Sequence, residues 1–289
     1  MAKARRKVSQ HRLLQSKFRQ VGFLLATTPD DWEDFITWFE AALKPDIKVT
    51  YLPPKGAFGD PNAIADAAKD LVKYCDVIVT ASTAAALALK TATQGTNAQF
   101  VYASVGDPAS SGLTPQPGGN FTGGSNGQAD STVVSRRVTH MLSNAAFKNK
   151  FAVVGDYTDL AHKKVMDAVF GALQAAGKQV VPLASSSLTP GANIDNFIAG
   201  LANQSVKSLY VCSDLWITAH VKALHQSAKA AGMKTMFEFK EIKQNSGGDD
   251  YDGDSWQPLF VKAADYADKI LNGTRAGDLG IFTLAKKKK

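Results

Sequence analysis

The sequence predicts an α/β protein of two doubly wound lobes, and three observations carry that prediction. Between Asp76 and Gly124 two short apolar runs, Val77-Ile78-Val79-Thr80 and Phe100-Val101-Tyr102-Ala103, each end abruptly in small polar residues. This is the pattern of a buried strand running into a helix or loop. After Gly124 the alternation of strand and helix begins again. At 289 residues the chain exceeds the usual span of one hydrophobic core, so two lobes are the default.

Taken in order, the first strand is Gln20–Ala26, ending in Thr27-Thr28-Pro29-Asp30. Trp32, Phe35, Ile36, Phe39 and Leu43 then recur at a spacing near 3.6, which predicts a helix. Strand Lys48–Leu52 leads to a loop with Pro53, Pro54, Gly56 and Gly59, and helix Pro61–Tyr74 precedes the strand at Val77. That strand meets Ala81-Ser82-Thr83 and an alanine-rich helical run. The next meets Ser104-Val105-Gly106-Asp107-Pro108, then the turn-rich exit Pro117-Gly118-Gly119-Asn120-Phe121-Thr122-Gly123.

The second half reads as helix Asp130–Leu142, strand Lys150–Val154, helix Leu160–Ala176, strand Gln179–Leu183 and helix Asn193–Asn203. Strand Ser208–Val211, helix Ile217–Gly232 and strand Thr235–Phe239 follow. Two such halves imply a cleft between them, with ligand loops at the carboxyl ends of the strands.

The net charge of +7 belongs to the ends of the chain. Lys3, Arg5, Arg6, Lys7, Arg12, Lys17, Arg19 and Lys286 to Lys289 are eleven basic groups, and without them 22 basic face 26 acidic side chains. Residues 1–19 and 281–289 are therefore read as basic tails. The body shows no interleaving of basic and aromatic residues, so no nucleic-acid partner is expected. The apolar content of 45% is that of a globular protein and excludes bulk disorder. The charged start meets only Val21-Gly22-Phe23-Leu24-Leu25-Ala26, too short for the apolar core of an export signal. No segment has the length of a membrane span.

Cys75 and Cys212 fall in different halves and are read as reduced and packed. The five histidines have no Cys or carboxylate partner at ligand spacing, so no metal and no cofactor is expected. Asp249, Asp250, Asp252 and Asp254 resemble a calcium loop only superficially. They lack the glycine at position six and the glutamate at position twelve, and read instead as a solvated acidic loop. No Gly-x-Ser-x-Gly elbow follows a strand, which argues against a hydrolase, and no catalytic residue is assigned.

The order of Ile78-Val79-Thr80-Ala81-Ser82-Thr83-Ala84-Ala85, Val105-Gly106-Asp107-Pro108 and Pro117-Gly118-Gly119-Asn120-Phe121-Thr122-Gly123 resembles the substrate-binding proteins of ABC importers. The resemblance is to the subgroup with tryptophan- and tyrosine-type binding proteins and covers roughly residues 20 to 280. It implies the type 1 periplasmic-binding architecture, two Rossmann-like lobes joined by a hinge that the chain crosses three times. The return crossing would be Asn245 to Asp254, with Tyr266–Gly273 the helix after it. Lobe 1 is then 20–123 plus 245–280, and lobe 2 is 124–244. Relatives carry a more apolar strand after the paired glycines than Asp249–Asp254, and they run on to a last strand and helix that this chain is expected to lack.

The resemblance implies a small-molecule ligand, such as an amino acid, and importer membrane subunits as partners. It implies a periplasmic or other extracytoplasmic location, while the absence of an export signal leaves the cytoplasm open. The expected ligand residues sit at strand ends: Thr27, Thr28, Asp30, Ser82, Thr83, Asp107, Ser125, Tyr157, Asp214 and Trp216. Ser82 and Thr83, with the N–H groups of the helix they start, suit a carboxylate. Asp214 suits an ammonium, in the position where relatives have an aspartate. Asp107 either shares that role or caps its own turn. Tyr157 and Trp216 offer rings for a planar ligand. The alternatives are a cytoplasmic ligand sensor of the same fold and a hydrolase or racemase acting in the cleft.

Overall fold

The structure is a computed structural model that describes residues 19–24, 26, 33–52, 60–147, 150–157, 160–189 and 191–283. Thr27, Thr28, Asp30 and Trp32 lie outside them. The chain divides into two compact units. Among the described residues, the first holds those up to Ala103, Thr114–Gly124 and Phe260–Ile281; the second holds Ser104–Leu113 and Ser125–Leu259.

The first unit is built on a six-stranded sheet in the order β11-β5-β4-β3-β1-β2. Its strands are β1 (Arg19–Leu24), β2 (Ile47–Leu52), β3 (Val77–Thr80), β4 (Gln99–Val105), β5 (Phe121–Ser125) and β11 (Phe282–Thr283). β1 pairs in parallel with β2 (Val21 opposite Val49) and with β3 (Phe23 opposite Val79), and β3 pairs in parallel with β4 (Val79 opposite Val101). All four residues of β3 are buried, which is why the sequence reads there as an unbroken apolar run. A short edge strand, β11, forms at Phe282–Thr283.

Helices α1 (Glu33–Ala42), α2 (Pro61–Tyr74) and α3 (Thr83–Ala92) belong to this unit. Helix α2 begins where Asp60 accepts a hydrogen bond from the Asn62 N–H at 2.9 Å and Pro61 takes a first-turn position that needs no N–H partner. Its Ile64, Ala67, Ala68 and Leu71 form the buried stripe. Phe23 of β1 meets Phe39 of α1 edge to face at 5.2 Å and lies parallel to Phe260 at 6.5 Å. Phe260 also touches Phe35 at 4.8 Å, so an aromatic from the C-terminal quarter of the chain completes this core. The same segment is fastened by Gln99, which accepts from the Ala276 N–H at 2.7 Å, and by Asp278, which accepts from the Gly118 N–H at 2.7 Å. Gly277 is required here, because a Cβ would stand 2.0 Å from the Gln116 carbonyl oxygen.

The second unit carries a five-stranded parallel sheet in the order β10-β9-β8-β6-β7. Its strands are β6 (Lys150–Val154), β7 (Gln179–Val180), β8 (Ser208–Val211), β9 (Lys234–Phe237) and β10 (Asp250–Tyr251). Strand β7 is shorter than the sequence predicts. Pro182 has no N–H for a ladder, and a 3₁₀ turn at Leu183–Ser186 follows it. Helices α4 (Ser131–Ser143), α5 (Leu160–Ala175), α6 (Ile194–Asn203), α7 (Leu215–Ala230) and α8 (Lys240–Ser246) surround the sheet, and α9 (Gln257–Leu271) begins in this unit. Asp130, Asn193 and Asp214 cap α4, α6 and α7. Met141, Phe151, Val169, Leu173, Tyr210 and Met236 are fully or almost fully buried members of one core cluster.

Two expectations change here. The segment Asn245–Asp254 is not the return crossing: Asp250–Tyr251 pairs in parallel with β9, and the chain changes unit between Leu259 and Phe260. The acidic run is also not left to solvent. Asp249 accepts from the Thr235 N–H at 3.0 Å and pairs with Lys234, Asp250 accepts from Asn144 and meets His140, and Asp252 pairs with Arg136 at 2.9 Å. These partners convert a turn-prone acidic sequence into a pinned edge strand. The two cysteines are free and buried, one in each unit, and burial pushes the Cys75 thiol up to about 11.

Candidate functional site

In sheets of this kind the loops leaving the carboxyl ends of the strands carry ligand contacts. In the first unit the turn from β3 into α3 is the most unusual of these. Ser82 has φ +82° and ψ 149°, a conformation that is essentially reserved for glycine and costs a residue with a Cβ about 1–3 kcal/mol. Its hydroxyl accepts a hydrogen bond from the Ala85 N–H at 3.3 Å and so caps α3. The end of β3 is locked beside it, where the Thr80 hydroxyl donates to the Leu24 carbonyl at 2.9 Å. Ser82 and Thr83 are both half-buried. Together they present a helix N-terminus, where first-turn N–H groups have no intrahelical acceptor, at the edge of the sheet.

The other expected residues with described side chains lie in the second unit. Asp107 accepts from the Ser110 N–H at 3.0 Å and from the Ser110 hydroxyl, and its carboxylate meets Lys164 at 3.0 Å. Burial alone would raise its pKa, but the Ser110 and Lys164 donors outweigh this and hold the carboxyl below its ordinary value. Of the two roles open to Asp107, the turn cap is the one formed. Ser125 accepts from the Gly127 N–H at 3.2 Å.

Tyr157, at the end of β6, is half-buried and fixed from several sides. Its N–H donates to the Ser187 hydroxyl at 3.1 Å, its hydroxyl donates to Asp167 at 3.2 Å, and the Lys163 ammonium stands 4.8 Å from the ring centre. Asp214 is 4% exposed. One carboxylate oxygen accepts from the Ile217 N–H at 2.7 Å and the other from the Asp156 N–H at 3.1 Å. Burial pushes its pKa up to about 6, against the opposing pull of His162 and the two backbone donors. It therefore acts here as the cap of α7 and a tie to the β6 loop, not as an open acceptor for an ammonium. Trp216 is buried, with one face of its ring stacked on His220 at 4.3 Å.

Three features of the second unit escaped the sequence reading. The first is a buried polar network. Arg137 and Glu238 are 1% and 0% exposed. The guanidinium reaches a Glu238 carboxylate oxygen at 3.3 Å, the Glu238 carbonyl at 3.0 Å and the Asp252 carbonyl at 2.9 Å, and it lies 4.9 Å from the Phe239 ring centre. Glu238 also accepts from the Tyr210 hydroxyl at 3.0 Å and the Ser213 N–H at 2.8 Å. Gly253 is part of this arrangement, since a Cβ would stand 1.8 Å from the Glu238 carbonyl oxygen. A signal existed for Arg137, which shares the 3-and-4 spacing of the buried Val134, Val138 and Met141.

The other two are donors. The Gln128 side-chain nitrogen and the Ser213 hydroxyl oxygen are buried, and neither has a hydrogen-bond partner among the described residues. Gln128 is itself 4% exposed and follows the crossover at Gly124. Nothing in its local sequence separates it from an ordinary loop glutamine.

A family model described as "ABC transporter substrate binding protein" matches residues 41–289. None of the curated proteins matches the sequence. Among solved structures, the chain is similar to the ABC domain in complex with L-Trp from Streptococcus pneumonia, with 17% identity, 92% of this chain and 89% of that chain covered, and a TM-score of 0.76. It is similar to a conserved domain protein from Vibrio cholerae with 19% identity, coverage of 93% and 90%, and a TM-score of 0.76. It is also similar to a periplasmic solute binding protein of an ABC transporter from Actinobacillus succinogenes with bound D-allose, with 12% identity, coverage of 92% and 96%, and a TM-score of 0.62. At these identities the structural likenesses show the fold, the type 1 periplasmic-binding architecture.

Proposed function

Since this chain belongs to the ABC transporter substrate binding protein family, we propose that it captures a small polar or aromatic molecule, an amino acid in the first instance, for an importer. The reading includes capture by closure: the ligand has a higher affinity for the closed arrangement of the two units and so shifts the population toward it. The membrane subunits of the importer then recognise the closed form, which places the protein outside the cytoplasm. No helix among the described residues is long and apolar enough to cross a membrane.

The observation that carries this reading is the strained Ser82 at the N-terminus of α3. A serine held in a glycine-like conformation points to a position where the hydroxyl or the turn is needed for something other than stability. The hydroxyl and the first-turn N–H groups form a natural receptor for a carboxylate, and we assign Ser82 and Thr83 that role. The amino-acid ligand is supported by the L-Trp found with the Streptococcus pneumonia structure; the D-allose of the Actinobacillus succinogenes structure keeps sugars in the test.

The work is binding without turnover, so the ligand is released chemically unchanged. The test is calorimetric titration of refolded, ligand-free protein with amino acids, sugars and aromatic carboxylates, followed by mass analysis of the recovered compound. Saturable binding of an intact compound is expected. Conversion of the compound during the experiment would replace the reading with an enzymatic one.

A further inference from the structure

Gln128 has a donor and no acceptor for it among the described residues. Its side-chain nitrogen is buried and unpartnered in a residue only 4% exposed. A buried donor left unsatisfied is costly, and native proteins rarely leave one without a water or a ligand to meet it.

The backbone around Gln128 is held firmly. The Asn126 N–H donates to the Val105 carbonyl at 3.0 Å, and the Asn126 amide donates to the Ser104 hydroxyl at 3.1 Å. The Asn126 side-chain oxygen in turn accepts from the Gln128 N–H at 3.0 Å, and Gly127 takes φ +66° between them. The loop after β5 is thereby tied to the carboxyl end of β4. The Gln128 side-chain oxygen lies 3.6 Å from where a Cβ on Gly106 would stand, so the carboxamide rests against a residue with no side chain of its own. The turn fixes the side chain, and its nitrogen meets no hydrogen-bond partner among the described residues.

We infer that the Gln128 carboxamide donates a hydrogen bond to an oxygen of the bound ligand, a carboxylate or carbonyl oxygen, and so selects ligands that carry one. This rests on the binding function proposed above. A neutral amide suits the role, because it satisfies an oxygen without adding a buried charge that would need its own counter-ion. A site built around such a donor discriminates strongly against an analogue lacking the acceptor, since the buried amide is then left unpaired again.

The test compares the wild type with Gln128→Met and Gln128→Glu, using L-tryptophan, tryptamine, benzoate and D-allose as probes. Without ligand, Gln128→Met is expected to unfold at the same temperature as the wild type or higher, because it removes an unsatisfied group while keeping the volume. A fall of several degrees would overturn the inference by showing that the amide is already satisfied. For any probe with an oxygen acceptor that binds the wild type, Gln128→Met is expected to weaken binding by about ten- to a hundredfold. Gln128→Glu is expected to weaken a carboxylate probe at least as much. Unchanged affinity of Gln128→Met for a probe that binds the wild type would overturn the inference and leave the binding function standing. A wild type that responds to none of the probes would count against the binding function, while the ligand-free comparison still decides whether the amide is idle.

Discussion

Arg137 and Glu238 meet at 3.3 Å inside the second unit, and the two side chains are almost wholly excluded from solvent. They lie 101 residues apart in the chain, so the contact joins helix α4 to the end of β9. Burial pushes the Tyr210 phenol well above its ordinary pKa, so it stays protonated and donates to the same carboxylate. Removing one partner leaves a charge buried alone, which costs about 3–5 kcal/mol. Arg137→Met is therefore expected to lower unfolding stability by roughly that amount in urea titration, and the double variant Arg137→Met with Glu238→Leu to lose less than Arg137→Met alone. A double variant at least as unstable as the single one would show that the pair is favourable in itself.

The Ser82 turn separates strain from capping. Ser82→Gly relieves the backbone and gives up the hydroxyl cap, two effects of similar size, so stability is expected to change by about 1 kcal/mol or less. Ser82→Ala keeps the strain and loses the cap, and is expected to cost about 1 kcal/mol. Both variants are expected to lose ligand affinity at least tenfold, which calorimetry reads directly. Ligand affinity that follows stability instead, falling in Ser82→Ala alone, would remove the hydroxyl from the site.

Asp214 gives the pH dependence a sign. Its folded pKa of about 6 lies above the ordinary 3.8, with burial the main cause. The folded state therefore holds the proton more tightly than the unfolded chain between those values, and this group's contribution to stability is full below pH 4 and lost as the pH rises through 6. The loss is on the order of 3 kcal/mol. Asp214→Asn keeps a capping side chain without the charge. The stability of the wild type relative to Asp214→Asn is expected to fall between about pH 4 and pH 6 and to level off above pH 7, as read by urea unfolding at fixed pH steps. A difference that does not change across that window would place the Asp214 pKa near its ordinary value.

Trp216 is expected to report packing. With its ring buried on His220, Trp216→Ala should cost about 3–5 kcal/mol of stability. Tyr157→Phe removes only the hydroxyl donated to Asp167 at a half-exposed position and should cost about 1 kcal/mol or less. A Trp216→Ala protein that keeps its unfolding temperature and loses ligand would reassign the ring to the binding surface.

Much of the fold was legible because local chemistry marks it. Asp60, Ser82, Asp130, Asn193 and Asp214 each cap the helix that the apolar spacing predicts, and the buried strands β3 and β8 read as short apolar runs. The placement of the candidate residues at strand ends was legible, but their hydrogen-bond partners were not. Asp214 looked open because the donor that takes its second oxygen, the Asp156 N–H, comes from 58 residues away. Asp107 and Tyr157 were likewise filled by Lys164, Ser110, Ser187 and Asp167. The return of the chain was misplaced because Asp249, Asp250 and Asp252 find partners on other elements, which sequence alone does not display. The strain at Ser82 and the unpaired amide of Gln128 are properties of backbone geometry and surroundings, and no residue spacing encodes them.

The central claim is reversible capture of a small molecule, and thermal unfolding of refolded, ligand-free protein across a panel of amino acids, sugars and aromatic carboxylates tests it most directly. A true ligand at a hundred times its dissociation constant adds about 2.7 kcal/mol, a shift of several degrees that grows with ligand concentration. The account predicts such a shift for one chemical class, with the compound recovered intact. No shift with any compound, or conversion of the compound that shifts it, would contradict the account.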